Sequence, residues 1–418
     1  MSQESPAGQD ISGVGRRFWF ATWWPWLVVI VLFALALAVR WPGAASAKVD
    51  PNSPYSTLAQ VIRTLPQAIS AEGRTAAEEL LWQKPPVLPR VLSWFANQAD
   101  LFLLQAFLSA LLVVPLFLLG RRWDGAPAGL LAAFVWALWG PSVELCREIQ
   151  PEQLFSLFLV AGLLLLDVQR KGWEAAAYLV AGLCLALAEL TRPVLVPFMA
   201  LAAAYLIARL IAQTDRLSRA AVLVALVIGL ALPLAAYHLN RPRGEFAWVY
   251  SKKGMTMLTT AAEFEQSSYH IAERQPPNWN QLSEPERENY AFRLFLAKVW
   301  LDPVSYASNA LNRLHRFWFS GYGSWNTRLF QPSGIDGLLA LLGLIVLCRR
   351  RSLAFIWSLF LAVDFTAVTI AVFPKPRFRE SITAWFLVLV AIGLMTLFRG
   401  ARSLAGTWKK RRRAVQPT

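Results

Sequence analysis

"WDGAPAGLLAAFVWALWGPSVELCREIQPEQLFSLFLVAGLLLLDVQRK", residues 123–171, holds two apolar runs separated by a polar turn and closed by charge at both ends. Each run approaches the roughly 20 residues that a helix needs to cross a bilayer. The runs are continuous, with none of the apolar–polar alternation of a barrel strand, so they read as membrane helices. Outward from this stretch the pattern repeats. Ten spans are expected, near 18–39, 100–119, 126–143, 152–168, 174–191, 193–211, 219–238, 334–348, 353–373 and 382–398. The first is too long for a signal peptide and lacks a small-residue cleavage site, so it is read as retained. The expected class is an all-α polytopic membrane protein, one integral membrane domain over residues 1–418 with no C-terminal soluble domain.

Charge orients these spans. With a cytoplasmic N-terminus, every inside segment is basic: Arg16-Arg17, Arg121-Arg122, Arg170-Lys171, Arg209 with Arg216 and Arg219, Arg349-Arg350-Arg351, and "KKRRR" at 409–413. That is the positive-inside pattern, and both termini are expected in the cytoplasm. It also accounts for the net charge of +15 without a nucleic-acid partner. The three cysteines, Cys146, Cys184 and Cys348, are widely spaced and suggest neither a metal site nor a disulfide framework.

Two long segments, 40–99 and 239–333, then lie outside. In "SPYSTLAQVIRTL", Ser53 is a candidate N-cap and Pro54 a first helical residue. "SEPE" at 283–286 has capping-box spacing, and Asp302-Pro303 opens a further helix. Both segments read as folded, membrane-hugging loops with interfacial helices.

The outer face also collects the polar residues that are hardest to explain. Asp50 stands in "KVDPNSPY", and Lys84 and Arg90 in "WQKPPVLPRVLSWF". Glu144, Arg147, Glu148 and Glu152 lie between spans three and four. Glu189 and Arg192 end span five in "ELTRP". Lys375, Arg377, Arg379 and Glu380 lie in "FPKPRFRE", against the positive-inside pattern. Arginine forks suit a phosphate at a membrane surface, so these cations are candidates for an anion site. The plainer reading is a solvated loop with local ion pairs. A carboxylate in hydrogen-bond reach of a hydroxyl can act as its base. Singly, however, Asp50 reads equally as an Asp-Pro turn, Glu152 as a helix start, and Glu189 as a partner for Arg192. Asp364 falls inside span nine, where a charge is costly; it is either a buried contact or a functional group. His238, His270 and His315 form no HxxxH pair, and no phosphate-cradling glycine loop or GxSxG appears.

Taken in order, these segments resemble GT-C fold glycosyltransferases, specifically the bacterial family-39-like group related to protein O-mannosyltransferases and the lipid A aminoarabinose transferase. The resemblance rests on "VDPNSPYSTLAQ", "WQKPPVLPRVLSWF", "QPEQLFSLFLVAGLLLL", "AGLCLALAELTRP", "LNRPRGEFAWVYSKKGMTML", "LFLAKVWLDPVSYASNALNRLHRFW" and "KPRFRESITAWFLVLVA". The chain departs from the pattern in Asp50-Pro51, where many relatives carry a second acid, and in "RFRES" for "RYRLP". The resemblance implies a bacterial cytoplasmic-membrane enzyme acting on the extracytoplasmic face. It would move a sugar, with inversion, from a polyprenyl-phosphate donor to a lipid, glycan or protein acceptor. It implies Asp50 as general base, with Glu152 or Glu148 as further acid, and Lys84, Arg192, Arg377 and Arg379 at the donor phosphate. No cofactor is expected from the motifs, although related folds sometimes use a divalent metal. Rival readings are a polytopic transporter, a non-catalytic lipid-binding membrane protein, and a polyprenyl-diphosphate glycan ligase. A transporter would gather charges at mid-membrane and show inverted repeats, whereas the charge clusters here lie at one interface and the halves do not match.

Overall fold

A computed structural model describes residues 11–47, 85–93, 98–170, 172–212, 215–239, 282, 284–319, 334–371 and 377–415. Among them no strand occurs, and the helices follow the apolar runs. They are α1 (Ile11–Ala45), α2 (Val87–Ser93), α3 (Gln98–Leu111), α4 (Val113–Asp124), α5 (Ala126–Ala137), the short α6 (Gly140–Glu144) and α7 (Glu152–Leu166). They continue as α8 (Glu174–Thr191), α9 (Val196–Ala212), α10 (Arg216–Leu239), α11 (Glu284–Leu301), α12 (Pro303–Phe319), α13 (Gly334–Arg349), α14 (Leu353–Ala371) and α15 (Arg377–Val415). Among the described residues, six segments are long and apolar enough to cross a membrane: 23–45, 100–124, 174–191, 216–239, 353–371 and 379–408. Helices α5, α7 and α9 are shorter and apolar.

Of the boundaries that differ from the sequence expectation, two have a clear local reason. The second span continues to Asp124 and is interrupted at Leu112, between α3 and α4. Pro115 has no N–H to give the carbonyl four residues back, so the helix re-forms around it. The last helix runs far past residue 398, because its basic extension is built from good helix formers. In the second long loop, the expected helices are present as α11 and α12. Asp302 caps α12, its Oδ1 accepting from the Ser305 backbone N–H at 3.0 Å. The Ser53 cap and the Ser283 cap lie outside the described residues.

The core is apolar. Trp136, Trp357 and Trp385 are fully buried, and Leu116, Phe155, Phe198 and Ile392 pack with them. On α1, Trp23, Leu27, Ile30 and Val31 are exposed, as is much of α10, including Val224, Val227 and Leu232. Apolar side chains on both faces of a helix suit a lipid surround. Arg40 ties α1 into this bundle. Its five N–H donors reach Ser109 Oγ, Ser142 Oγ and the carbonyls of Ala36, Trp136 and Ala137, at 2.6 to 3.0 Å. The last two carbonyls end α5, where the helix dipole favours a cation.

Reciprocal glycines bring helix pairs into backbone contact. A Cβ on Gly343 of α13 would collide with the Leu389 carbonyl of α15, and one on Gly393 of α15 with the Leu339 carbonyl. Gly182 of α8 and Gly229 of α10 meet in the same way. Small residues permit such close approach, which stabilises helix pairs in lipid by van der Waals packing. Gly343→Ala is therefore expected to cost about 1–3 kcal/mol by forcing α13 from α15. Gly400→Ala, with open space around it, is expected to be neutral or slightly stabilising. Thermal unfolding of the two variants in detergent checks this; equal midpoints would refute the glycine contact.

Candidate functional site

One end of the bundle gathers buried polar side chains. There α5 and α8 end and α7, α13 and α15 begin. The start of α15 carries three consecutive buried residues, Arg379, Glu380 and Ser381, and each meets a different element. Arg379 donates from Nη2 to Asp336 Oδ2 in the first turn of α13 at 2.9 Å and lies over the Phe386 ring. Glu380 Oε2 accepts from Trp139 Nε1 at 2.9 Å, in the turn between α5 and α6. Ser381 Oγ accepts from Arg192 Nη1 at 2.6 Å, and its carbonyl accepts from Ser156 Oγ of α7 at 2.8 Å.

Arg192 follows the last residue of α8. Its Nη1 also donates to Glu152 Oε1 at 2.7 Å, closing a buried ion pair. Glu152 is 2% exposed and opens α7, where the dipole favours its charge. Its second oxygen, Oε2, has no hydrogen-bond partner, and neither has the amide of the adjacent buried Gln153. Glu189 Oε2 accepts the Leu195 N–H at 2.7 Å and so turns the chain from α8 into α9. Deeper in the bundle, Asp364 of α14 is fully buried, with the Phe198 backbone N–H of α9 beside its carboxylate. It lies within repulsive range of Glu189.

The structure thus joins two of the candidate residues, Glu152 and Arg192, and sets Arg379 beside them on the same end. Glu148 stands apart at the exposed lip, accepting from Gln150 Nε2 at 3.0 Å, with the Glu144–Arg147 pair next to it. Asp50 and Lys84 lie outside the described residues, as does the side chain of Arg377. Ala47, the described residue nearest Asp50, packs in one apolar cluster with Leu88, Phe102, Cys146 and Ile149. Burial raises the Cys146 thiol to about 11, against the opposing effect of Arg40. Among the described residues, no three His, Cys, Asp or Glu side chains are placed to hold a metal ion.

Sequence reasoning missed the partners. Asp336, Trp139 and Arg40 were given no role, and Ser381 stood only as the last residue of "RFRES". A buried carboxylate or guanidinium needs a partner, so Asp336 within an apolar segment was a usable signal.

Residues 85–237 match the family model for dolichyl-phosphate-mannose-protein mannosyltransferases. The matched segment contains both Glu152 and Arg192. No curated protein matches the chain. Among solved structures, the chain is similar to the archaeal oligosaccharyltransferase AglB from Archaeoglobus fulgidus, in complex with an inhibitory peptide and a dolichol-phosphate. That similarity has 16% identity and a TM-score of 0.53 over 96% of this chain and 53% of that one. The apo oligosaccharyltransferase of the same organism gives 16% identity and a TM-score of 0.54, covering 93% and 52% of the two chains. The form tethered to an acceptor peptide containing the NVT sequon gives 17% and 0.54, covering 91% and 50%. The chain spans about half the length of these structures. Their shared architecture is the GT-C glycosyltransferase fold expected from the ordered motifs.

Proposed function

We propose that this protein is a membrane glycosyltransferase that moves a sugar from a polyprenyl-phosphate donor to an acceptor outside the cytoplasmic membrane, with inversion. The observation that carries this reading is the overlap of three things at one end of the bundle. The family match covers Glu152 and Arg192, these two form a buried ion pair, and the fold is GT-C. The opposite end carries Arg121, Arg122, Arg209, Arg219, Arg349, Arg350 and Arg351 and so faces the cytoplasm.

The residues divide the work. The acceptor attacks the anomeric carbon as Asp50 takes its proton. The bond from the sugar to the lipid phosphate breaks, and its electron pair leaves with the phosphate. Lys84 and Arg377 meet the charge that develops there. Arg192 and Arg379, each ion-paired with a buried carboxylate, Glu152 and Asp336, offer hydrogen-bond donors at the same end rather than net charge. The packing of Ala47, Leu88 and Ile149 in one cluster supports a common site for Asp50, Lys84 and the start of α7.

Mass analysis of lipid-linked sugars in a deletion strain tests the activity. A polyprenyl-phosphate sugar should accumulate and disappear on complementation. An unchanged lipid pool would overturn the reading, and a diphosphate-linked glycan in its place would assign a ligase instead. The side of the membrane has its own test. Single cysteines at Ser53 and Ser268 are expected to react with an impermeant thiol reagent in cells whose outer barrier has been opened, and one at Ser218 is not. The reverse pattern would invert the topology and separate the site from its proposed acceptor.

A further inference from the structure

The other end of the bundle holds a cavity of about 570 Å³ that the transfer reaction does not use. It lies among the ends of α4, α7 and α9 and the start of α14. Glu152 opens α7 and Asp167 follows its end, so this pocket is about 22 Å from the ion pair, at 1.5 Å per residue. Its lining carries Arg122, Arg209 and Arg351, and Asp167 is the one carboxylate among the residues that line it. Asp167 is paired with Arg122 at 3.3 Å. Two guanidinium groups therefore remain without a balancing acid in the lining.

Three features mark the wall of this pocket. Arg209 lies over the Tyr205 ring, with 5.8 Å from guanidinium carbon to ring centroid, which fixes its plane. Arg351 is held at φ 50°, in the left-handed region that a side chain of this size seldom adopts. Ser352 caps α14, its Oγ accepting the Phe355 N–H at 3.3 Å, and so sets the positive end of that helix at the pocket wall. Trp123, 5% exposed, stands on the same wall with its indole N–H directed to Asp167.

We propose that this pocket binds a phosphate ester, with Arg209 and Arg351 as its main contacts and the N-terminus of α14 beside them. The volume fits a headgroup-sized ligand. Two sources share that chemistry: the headgroup of an anionic phospholipid and a soluble phosphate. The basic end of the bundle faces the leaflet rich in anionic lipid, which supplies the first at high local concentration.

The test uses the full chain in nanodiscs of phosphatidylcholine, alone or mixed with phosphatidylglycerol, followed by native mass spectrometry of the lipid retained on release. Phosphatidylglycerol is expected to be retained about tenfold over phosphatidylcholine, and the combined Arg209→Ala and Arg351→Ala variant to lose that preference. Arg402→Ala, an exposed cation outside the pocket, should keep it. Inorganic phosphate displacing the lipid from the wild type assigns the contact to the phosphate group itself. Phosphate bound without any lipid preference would assign the soluble source. Equal retention of the two lipids by the wild type, with no phosphate binding, overturns the proposal even where the double variant fails to fold. So does an unchanged preference in a folded double variant.

Discussion

Asp50→Asn is expected to slow sugar transfer about 10²-fold or more while leaving expression and donor binding intact. Asparagine keeps the shape of the side chain and can still accept a hydrogen bond from the acceptor, but it cannot take a proton at neutral pH. The loss should therefore fall on the chemical step, in kcat more than in the donor's Kd. The measurement is single-turnover transfer with saturating polyprenyl-phosphate sugar, alongside donor binding to the same preparation. Among the described acids, Glu152 is engaged by Arg192 and Glu380 by Trp139. Neither stands as open to an incoming hydroxyl as a loop carboxylate would. Near-normal turnover in Asp50→Asn would move the base to Glu148, which sits at the exposed lip, and Glu148→Gln would then be the slow variant.

The apolar helices were legible because a bilayer demands a fixed length of apolar helix, and that demand is local; of the ten spans expected, six described segments are long and apolar enough to cross. The break at Leu112 was legible in principle, since Pro115 stands three residues beyond it. The pairings were not. Trp139 and Glu380 lie 241 positions apart, and Arg192 and Ser381 lie 189 apart. Nothing in either local sequence names its partner. "ELTRP" offers Glu189 as an evident local partner for Arg192, yet the described contacts send Glu189 to the Leu195 amide and Arg192 across to α7. The wrong-side charge of "KPRFRE" was a sound signal that something holds those residues. For Arg379 the structure supplies a carboxylate, Asp336, rather than solvent. Burial of a charge forces such a choice, and sequence shows the force without showing the partner.

Arg192→Met is expected to destabilise the protein by about 3–5 kcal/mol, the cost of leaving a buried carboxylate without its cation. Glu152 sits at 2% exposure with one oxygen on Arg192 and the other without a hydrogen-bond partner, so little else offsets its charge. The same substitution also removes a donor to Ser381 and loosens the junction of α8 with α15. Glu152→Leu, made alone, strands the guanidinium in its place. The two together should cost less than the sum of the single changes, because each removes the charge that the other left unpaired. Thermal unfolding of the four proteins in one detergent gives that coupling, and additive losses would refute the pair. The double variant then separates structure from chemistry. If the pair only joins α7 to α8, a folded double variant should transfer sugar at close to the normal rate. If Arg192 also donates to the leaving phosphate, the folded double variant should stay slow and bind donor weakly, since removing both charges leaves the net charge unchanged but takes away the donor.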